Sequence, residues 1–159
     1  MFEMTYEAYG PNGVAFLIDA ITDNKNRTIT SVRTILNKNG GSLGESGSVG
    51  YMFKLKGVVS GSGDVSNEDL QMELLENGLL DIETNENDFI IYTEAGKAPA
   101  IKNILEANNI TVDSAKNSKI ADNIIAITDD AVAEKITRLV EKLEEDDDIT
   151  DVFTSSDLF

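Results

Sequence analysis

The sequence predicts an α+β protein built from two ferredoxin-like (βαββαβ) domains, one inserted into the other. Two observations carry this expectation. Residues 57–118 alternate short apolar runs with amphipathic segments in the order β-α-β-β-α-β. The flanking stretches read β-α-β before and β-α-β after, which together make a second such unit. The expected domains are therefore 1–56 plus 119–159 and, inserted between them, 57–118. Two sequential domains would leave each half with an odd, incomplete sheet.

Gly10-Pro11-Asn12-Gly13 is a turn, because Pro fixes φ and its Gly and Asn neighbours tolerate φ > 0. It feeds the strand Val14–Thr22. Thr28 is expected to cap the first helix, whose apolar face is Ile29, Val32, Ile35 and Leu36, and Asn39-Gly40-Gly41 stops it. A loop with glycines at 40, 41, 44, 47 and 50 follows, then short strands at Val49–Leu55 and Gly57–Ser60. Ser66 with Asp69 reads as a capping box for a helix with the apolar stripe Leu70, Leu74 and Leu75, ended by Gly78. Strands Leu80–Thr84 and Asp88–Thr93 come next. Helix three starts near Ala95, with Pro99 in its first turn and Ile101, Ile104 and Leu105 inward. Strands at Ile110–Val112 and Asn123–Thr128 precede a helix capped by Thr128. That helix carries the series Val132, Ile136, Leu139, Val140 and Leu143. Ile149–Phe153 is the last strand.

With 159 residues and 41% hydrophobic content the chain is long and apolar enough to bury a core. No apolar stretch approaches membrane-spanning length, and no basic leader precedes an apolar run, so a cytoplasmic protein without membrane association is expected. The absence of Cys and His removes thiolate nucleophiles, imidazole bases and any Cys-based metal site. No GxSxG elbow occurs. A non-enzymatic protein with no catalytic residues, no cofactor and no metal is expected, as a monomer.

The formal charge of −16 is uneven. Residues 1–60 hold six basic residues against five acidic, whereas residues 61–159 hold seven against 24. Phosphate recognition needs cations, so the first third is the expected nucleic-acid face. Its best candidates are Lys25, Arg27, Arg33 and Lys38, interleaved with Asn24, Asn26, Asn37 and Asn39. Tyr6 and Tyr9 are expected to pack at a sheet edge in preference to stacking on bases. The glycine-rich loop has no Gly-Lys-Ser/Thr and runs into a strand, so it is read as a structural or partner-contacting loop through Gly41, Gly44 and Gly47, without anion capture. Asp146-Asp147-Asp148 reads as a solvated charge run.

Three segments, YEAYGPNGVA (6–15), TDNKNRT (22–28) and GGSLGESGSVGYMF (40–53), resemble in order, spacing and type the signature of the YebC/PmpR family of transcriptional and translational regulators. The acidic LEEDDDITDVFTS (143–155) echoes that family's C-terminal end. Asn12 stands where family members usually have Gly, and the usual basic N-terminal helical domain, with its Trp and His, is not expected in this chain. The resemblance implies two α/β domains and a regulatory factor acting on promoter DNA or on the ribosome and its RNA. A protein partner is expected for the acidic half. The alternative reading is a small-molecule-sensing module with its ligand at a domain interface near Gly40–Gly50.

Overall fold

The computed structural model describes residues Met1–Phe159. The chain forms two compact units, one of residues 1–54 with 120–159 and one of residues 55–119. Each is a four-stranded antiparallel sheet carrying two helices, an α+β architecture consistent with two ferredoxin-like domains. The second unit runs β-α-β-β-α-β as expected, whereas the first runs β-β-α-β and then α-β, because an additional N-terminal strand pairs as a hairpin with the next one.

The first unit contains β1 (Phe2–Tyr9), β2 (Ala15–Thr22), α1 (Lys25–Lys38) and β3 (Ser42–Leu43). After the second unit come α4 (Asp130–Glu144) and β8 (Ile149–Thr154), and the sheet order is β3-β1-β2-β8. β1 and β2 form an antiparallel hairpin over their full length, from Phe2 opposite Thr22 to Tyr9 opposite Ala15. The turn between them is a 3-10 turn at Pro11–Gly13, and Asn12 sits in it at φ 63. Asn is one of the few side-chain-bearing residues that tolerates this left-handed conformation.

β1 is a strand that the hydropathy reading misses. Its sequence alternates with period 2, and the sheet follows that pattern: Met4, Tyr6 and Ala8 join the core under the helices, whereas Thr5, Glu7 and Tyr9 point the other way. β2 is buried on both faces. Phe16, Ile18 and Ala20 meet Val32, Leu36, Ile136, Leu139 and Leu143 from α1 and α4. Ala15 and Leu17 meet Val49, Phe53 and Ala121 on the opposite side. Residues from both ends of the chain thus share one core.

The second unit contains most of β4 (Phe53–Ser62), then α2 (Glu68–Glu76), β5 (Leu79–Asn85), β6 (Asp88–Thr93), α3 (Ala98–Ala107) and most of β7 (Thr111–Ala121). The order β5-β6-β4-β7, counted within the unit as 2-3-1-4, is that of a split βαβ fold. Val59, Phe89 and Ile91 pack against Leu70, Leu74, Ile101 and Leu105. Gly61 lets β7 approach β4: a Cβ there would lie 2.0 Å from the Thr111 carbonyl oxygen.

Several expected boundaries move, each for a local reason. α1 starts three residues before Thr28, because the Asn24 side chain accepts from the Arg27 amide at 3.1 Å. α2 is capped by Asn67 and α4 by Asp129, each one residue after the expected cap. α3 begins at Ala98, since Gly96 at φ 84 holds a turn ahead of it. The expected strands at 49–55 and 57–60 are a 3-10 turn at Gly50–Met52 followed by one continuous β4. The Asn123–Thr128 strand does not form; only an isolated bridge between Ile125 and Ser156 does.

Candidate nucleic-acid interface

The expected cations all lie on α1, but the helix sends them to different surroundings. Lys25 places its ammonium 4.4 Å from the centroid of the Phe2 ring. Arg27 is engaged with carboxylates. It donates to Asp148 at 2.9 Å and to Asp23 at 2.9 Å, and its Nε also reaches Asp148 at 3.2 Å. Thr28, fully buried, lies 2.9 Å from Asp148 Oδ2 and 2.7 Å from the Thr22 hydroxyl. Donation from Arg27 and then from Thr28 holds the Asp148 carboxyl below the usual aspartate range. Ser31 donates to Asp146 at 2.5 Å. The run Asp146–Asp148 is therefore not simply a solvated charge run: two of its three carboxylates tie α1 to the turn before β8. Arg33 stands exposed on the helix.

Lys38 finds company that the linear charge count hides. It lies at the end of the seam between α1 and α4, where Lys38, Asn39, Gly40, Lys135 and Arg138 line a concavity of about 290 Å³. A neighbouring concavity along the same seam is lined by Lys38, Ile35, Lys142 and Asp146 among others. Lys135, Arg138 and Lys142 recur at intervals of three and four, so one edge of α4 is cationic. Arg138 is paired with Glu134 at 2.9 Å and Lys142 with Glu145 at 3.6 Å, both exposed pairs, which hold these cations only weakly. The three belong to the part of the chain that composition marks as acidic. An i, i+3, i+7 cation series on α4 is the sequence signal that finds them.

The glycine-rich loop does capture an anion, contrary to the sequence reading, and that anion is the protein's own. The Glu7 carboxylate, on the β1 face away from the helices, accepts from the backbone amides of Gly47, Val49 and Gly50, the Val49 contact being 3.1 Å. Gly44 donates its amide to the Glu7 carbonyl oxygen at 2.8 Å. Burial pushes the Glu7 carboxyl up, but the three donations outweigh it together and hold it below the ordinary glutamate value. Packing explains two of the glycines. A Cβ at Gly41 would lie 2.8 Å from the Tyr9 carbonyl oxygen, and one at Gly44 would lie 2.6 Å from the Ser48 hydroxyl. Gly47 is at φ 89 with open space around it.

Residues 1–156 match the family model described as the second and third domain of TACO1/YebC. This chain belongs to the TACO1/YebC family. It is 44% identical to a probable transcriptional regulatory protein of Enterococcus faecalis over 98% of its own length and 65% of that protein's. It is 38% identical to the probable transcriptional regulatory protein YrbC of Bacillus subtilis over 96% of its length and 64% of the relative's. A solved structure, the conserved hypothetical protein Aq1575 of Aquifex aeolicus, superposes with a TM-score of 0.79 at 36% identity, covering 98% of this chain and 65% of that one. The chain thus spans about two-thirds of the length of these TACO1/YebC relatives.

In this family member the signature segments have structural roles beside any they have toward a partner. Tyr6 is buried in the core, and Tyr9 lies on β1 with its hydroxyl 3.5 Å from the Ser48 carbonyl oxygen. Segment 22–28 caps α1 and holds Asp148. Segment 40–53 wraps Glu7. No helix is long and apolar enough to cross a membrane.

Proposed function

We propose that this TACO1/YebC chain is a non-catalytic regulatory adaptor that touches the phosphate backbone of nucleic acid along the α1–α4 seam. The observation that carries the reading is the convergence of Lys38, Lys135 and Arg138 on one concavity in a chain of net charge −16. Three cations from two helices far apart in an acidic sequence, gathered at one place, make a local site for phosphate, the contact that dominates nucleic-acid affinity. The names of the relatives, probable transcriptional regulatory proteins, support a regulatory role. Lys25 and Arg27 are assigned structural duties, and Arg33 a peripheral contact. The overall negative field keeps binding weak and salt-sensitive.

The test is a salt titration of binding to single-stranded oligouridine and to duplex DNA, for the native chain and the triple variant Lys38→Ala, Lys135→Ala, Arg138→Ala. Loss of three phosphate contacts lowers the slope of log K against log salt by about 2 on the single strand and about 2.7 on the duplex. An unchanged slope in a variant that melts normally refutes the seam as the contact.

A further inference from the structure

Between Lys56 and Lys97 the chain carries ten carboxylates and not one Lys or Arg. Helix α2 lies in the middle of this stretch. Leu70 and Leu74 bury its inner side, with Asn67 as its cap and the Gln71 side chain donating to the Val65 carbonyl oxygen at 2.9 Å. Its outer side is apolar at the centre: Met72 is 61% and Leu75 60% exposed. These two lie three residues apart and therefore side by side. Glu68, Asp69, Glu73 and Glu76 surround them on the same helix, all exposed. Just past the helix, Leu80 is 52% exposed.

We propose that the outer face of α2 docks a cationic amphipathic segment of a partner protein, Lys- or Arg-rich with apolar side chains that cover Met72 and Leu75. The chemistry selects that occupant. An unpaired apolar pair on a helix offers area to bury. Methionine adapts its shape to an incoming side chain. The four exposed carboxylates of α2 steer cations in and set the register. Nucleic acid is repelled by the same carboxylates. A second copy docked through the same face would set four carboxylates against four, which disfavours self-association. The sequence reading expected Leu75 to lie in the core stripe with Leu70 and Leu74; its exposure is what makes the face two-sided. This surface belongs to the second unit and the α1–α4 seam to the first, and the inference stands without the nucleic-acid reading.

The 159-residue chain, labelled with nitrogen-15, is titrated with a short helical peptide of Leu and Lys, with oligolysine as the charge-only probe, and with the matching Leu–Glu peptide. The Leu–Lys peptide should shift the amides of Glu68–Glu76 and bind at least about tenfold more tightly than oligolysine. Met72→Ala with Leu75→Ala, both exposed sites in a helix that accepts alanine, should weaken it about tenfold or more. Glu73→Lys with Glu76→Lys should abolish the shifts. Three results overturn the proposal: oligolysine binding as tightly as the amphipathic peptide, shifts confined to residues outside α2, or undiminished affinity in the alanine variant. A concentration-dependent dimer that Met72→Ala dissolves would also overturn it, because it would make the face a self-contact.

Discussion

Replacing Glu7 tests whether the glycine-rich loop is held by one buried carboxylate. Glu7 is 9% exposed. Its Oε1 takes the amides of Val49 and Gly50, and its Oε2 takes that of Gly47. Val49 is fully buried, Gly50 half-buried and Gly47 exposed. In Glu7→Ala the Val49 amide loses its acceptor with no water to replace it, which costs about 1–3 kcal/mol. The half-buried Gly50 amide adds about 1 kcal/mol, while Gly47 turns to solvent. The expected loss is about 2–4 kcal/mol. Glu7→Gln keeps a carbonyl oxygen for Val49 and Gly50, but its NH₂ then faces the Gly47 amide, so the loss falls to about 1–2 kcal/mol. The pH dependence separates charge from shape. The folded carboxyl is held below its ordinary value. Its contribution is therefore complete above the unfolded pKa of about 4.3 and disappears as pH falls through the lower folded value. Urea denaturation of native chain and Glu7→Gln at neutral pH and near pH 3 should show a gap that closes on acidification. Val49 amide exchange should speed up in Glu7→Ala. A gap that stays constant or widens on acidification, or a Val49 amide equally protected in Glu7→Ala, refutes the anion-cradle reading.

Arg27→Ala should lower the melting point and raise the Asp148 pKa toward its ordinary value, followed by side-chain carbon NMR; Asp148→Asn should act in the same direction, and the two losses should not add. Gly61→Ala forces a methyl onto the Thr111 carbonyl oxygen, 2.0 Å away, and should destabilise the second unit by about 3 kcal/mol in denaturant titrations. Leu139→Ala opens a cavity in the core of the first unit and should cost about 2–5 kcal/mol. Hydrogen exchange should then report faster opening of β2 amides, with those of β6 less affected.

The elements that the sequence makes legible are those whose burial is one-sided and periodic. α4, with Ile136, Leu139, Val140 and Leu143 buried as spaced, and β6 are placed nearly to the residue. What hides is set by tertiary partners. In β1 the period-2 alternation Phe2-Glu3-Met4-Thr5-Tyr6-Glu7-Ala8 is itself a strand signal; what hides there is the burial of Glu7, which amides contributed forty residues later make tolerable. Leu75 is placed inward by its spacing, yet the helix turns it to solvent. The Asn123–Thr128 run is apolar enough for a strand, but its amides at Ile125 and Ile127 go to Ser155 and Asp157 instead of a ladder. The caps err by a residue or more because Asn24, Asn67 and Asp129 compete with equally eligible neighbours.

The candidate site shows the same limit in its electrostatics. Counting charge along the chain assigns the cations of the first third to phosphate. In the fold, Arg27 is neutralised by Asp23 and Asp148, and Lys38 acquires Lys135 and Arg138 from the acidic remainder. Charge acts over roughly a Debye length of about 8–10 Å. The relevant neighbourhood is thus the one that the α1–α4 seam assembles, not the one that the sequence orders. On α2 the exposed Glu68, Asp69, Glu73 and Glu76 stand around Met72 and Leu75, and the nearest cation at the helix end is Lys97, packed against Gly78. A chain of net charge −16 can therefore hold one seam where three cations converge and one helix face where carboxylates surround exposed Met72 and Leu75.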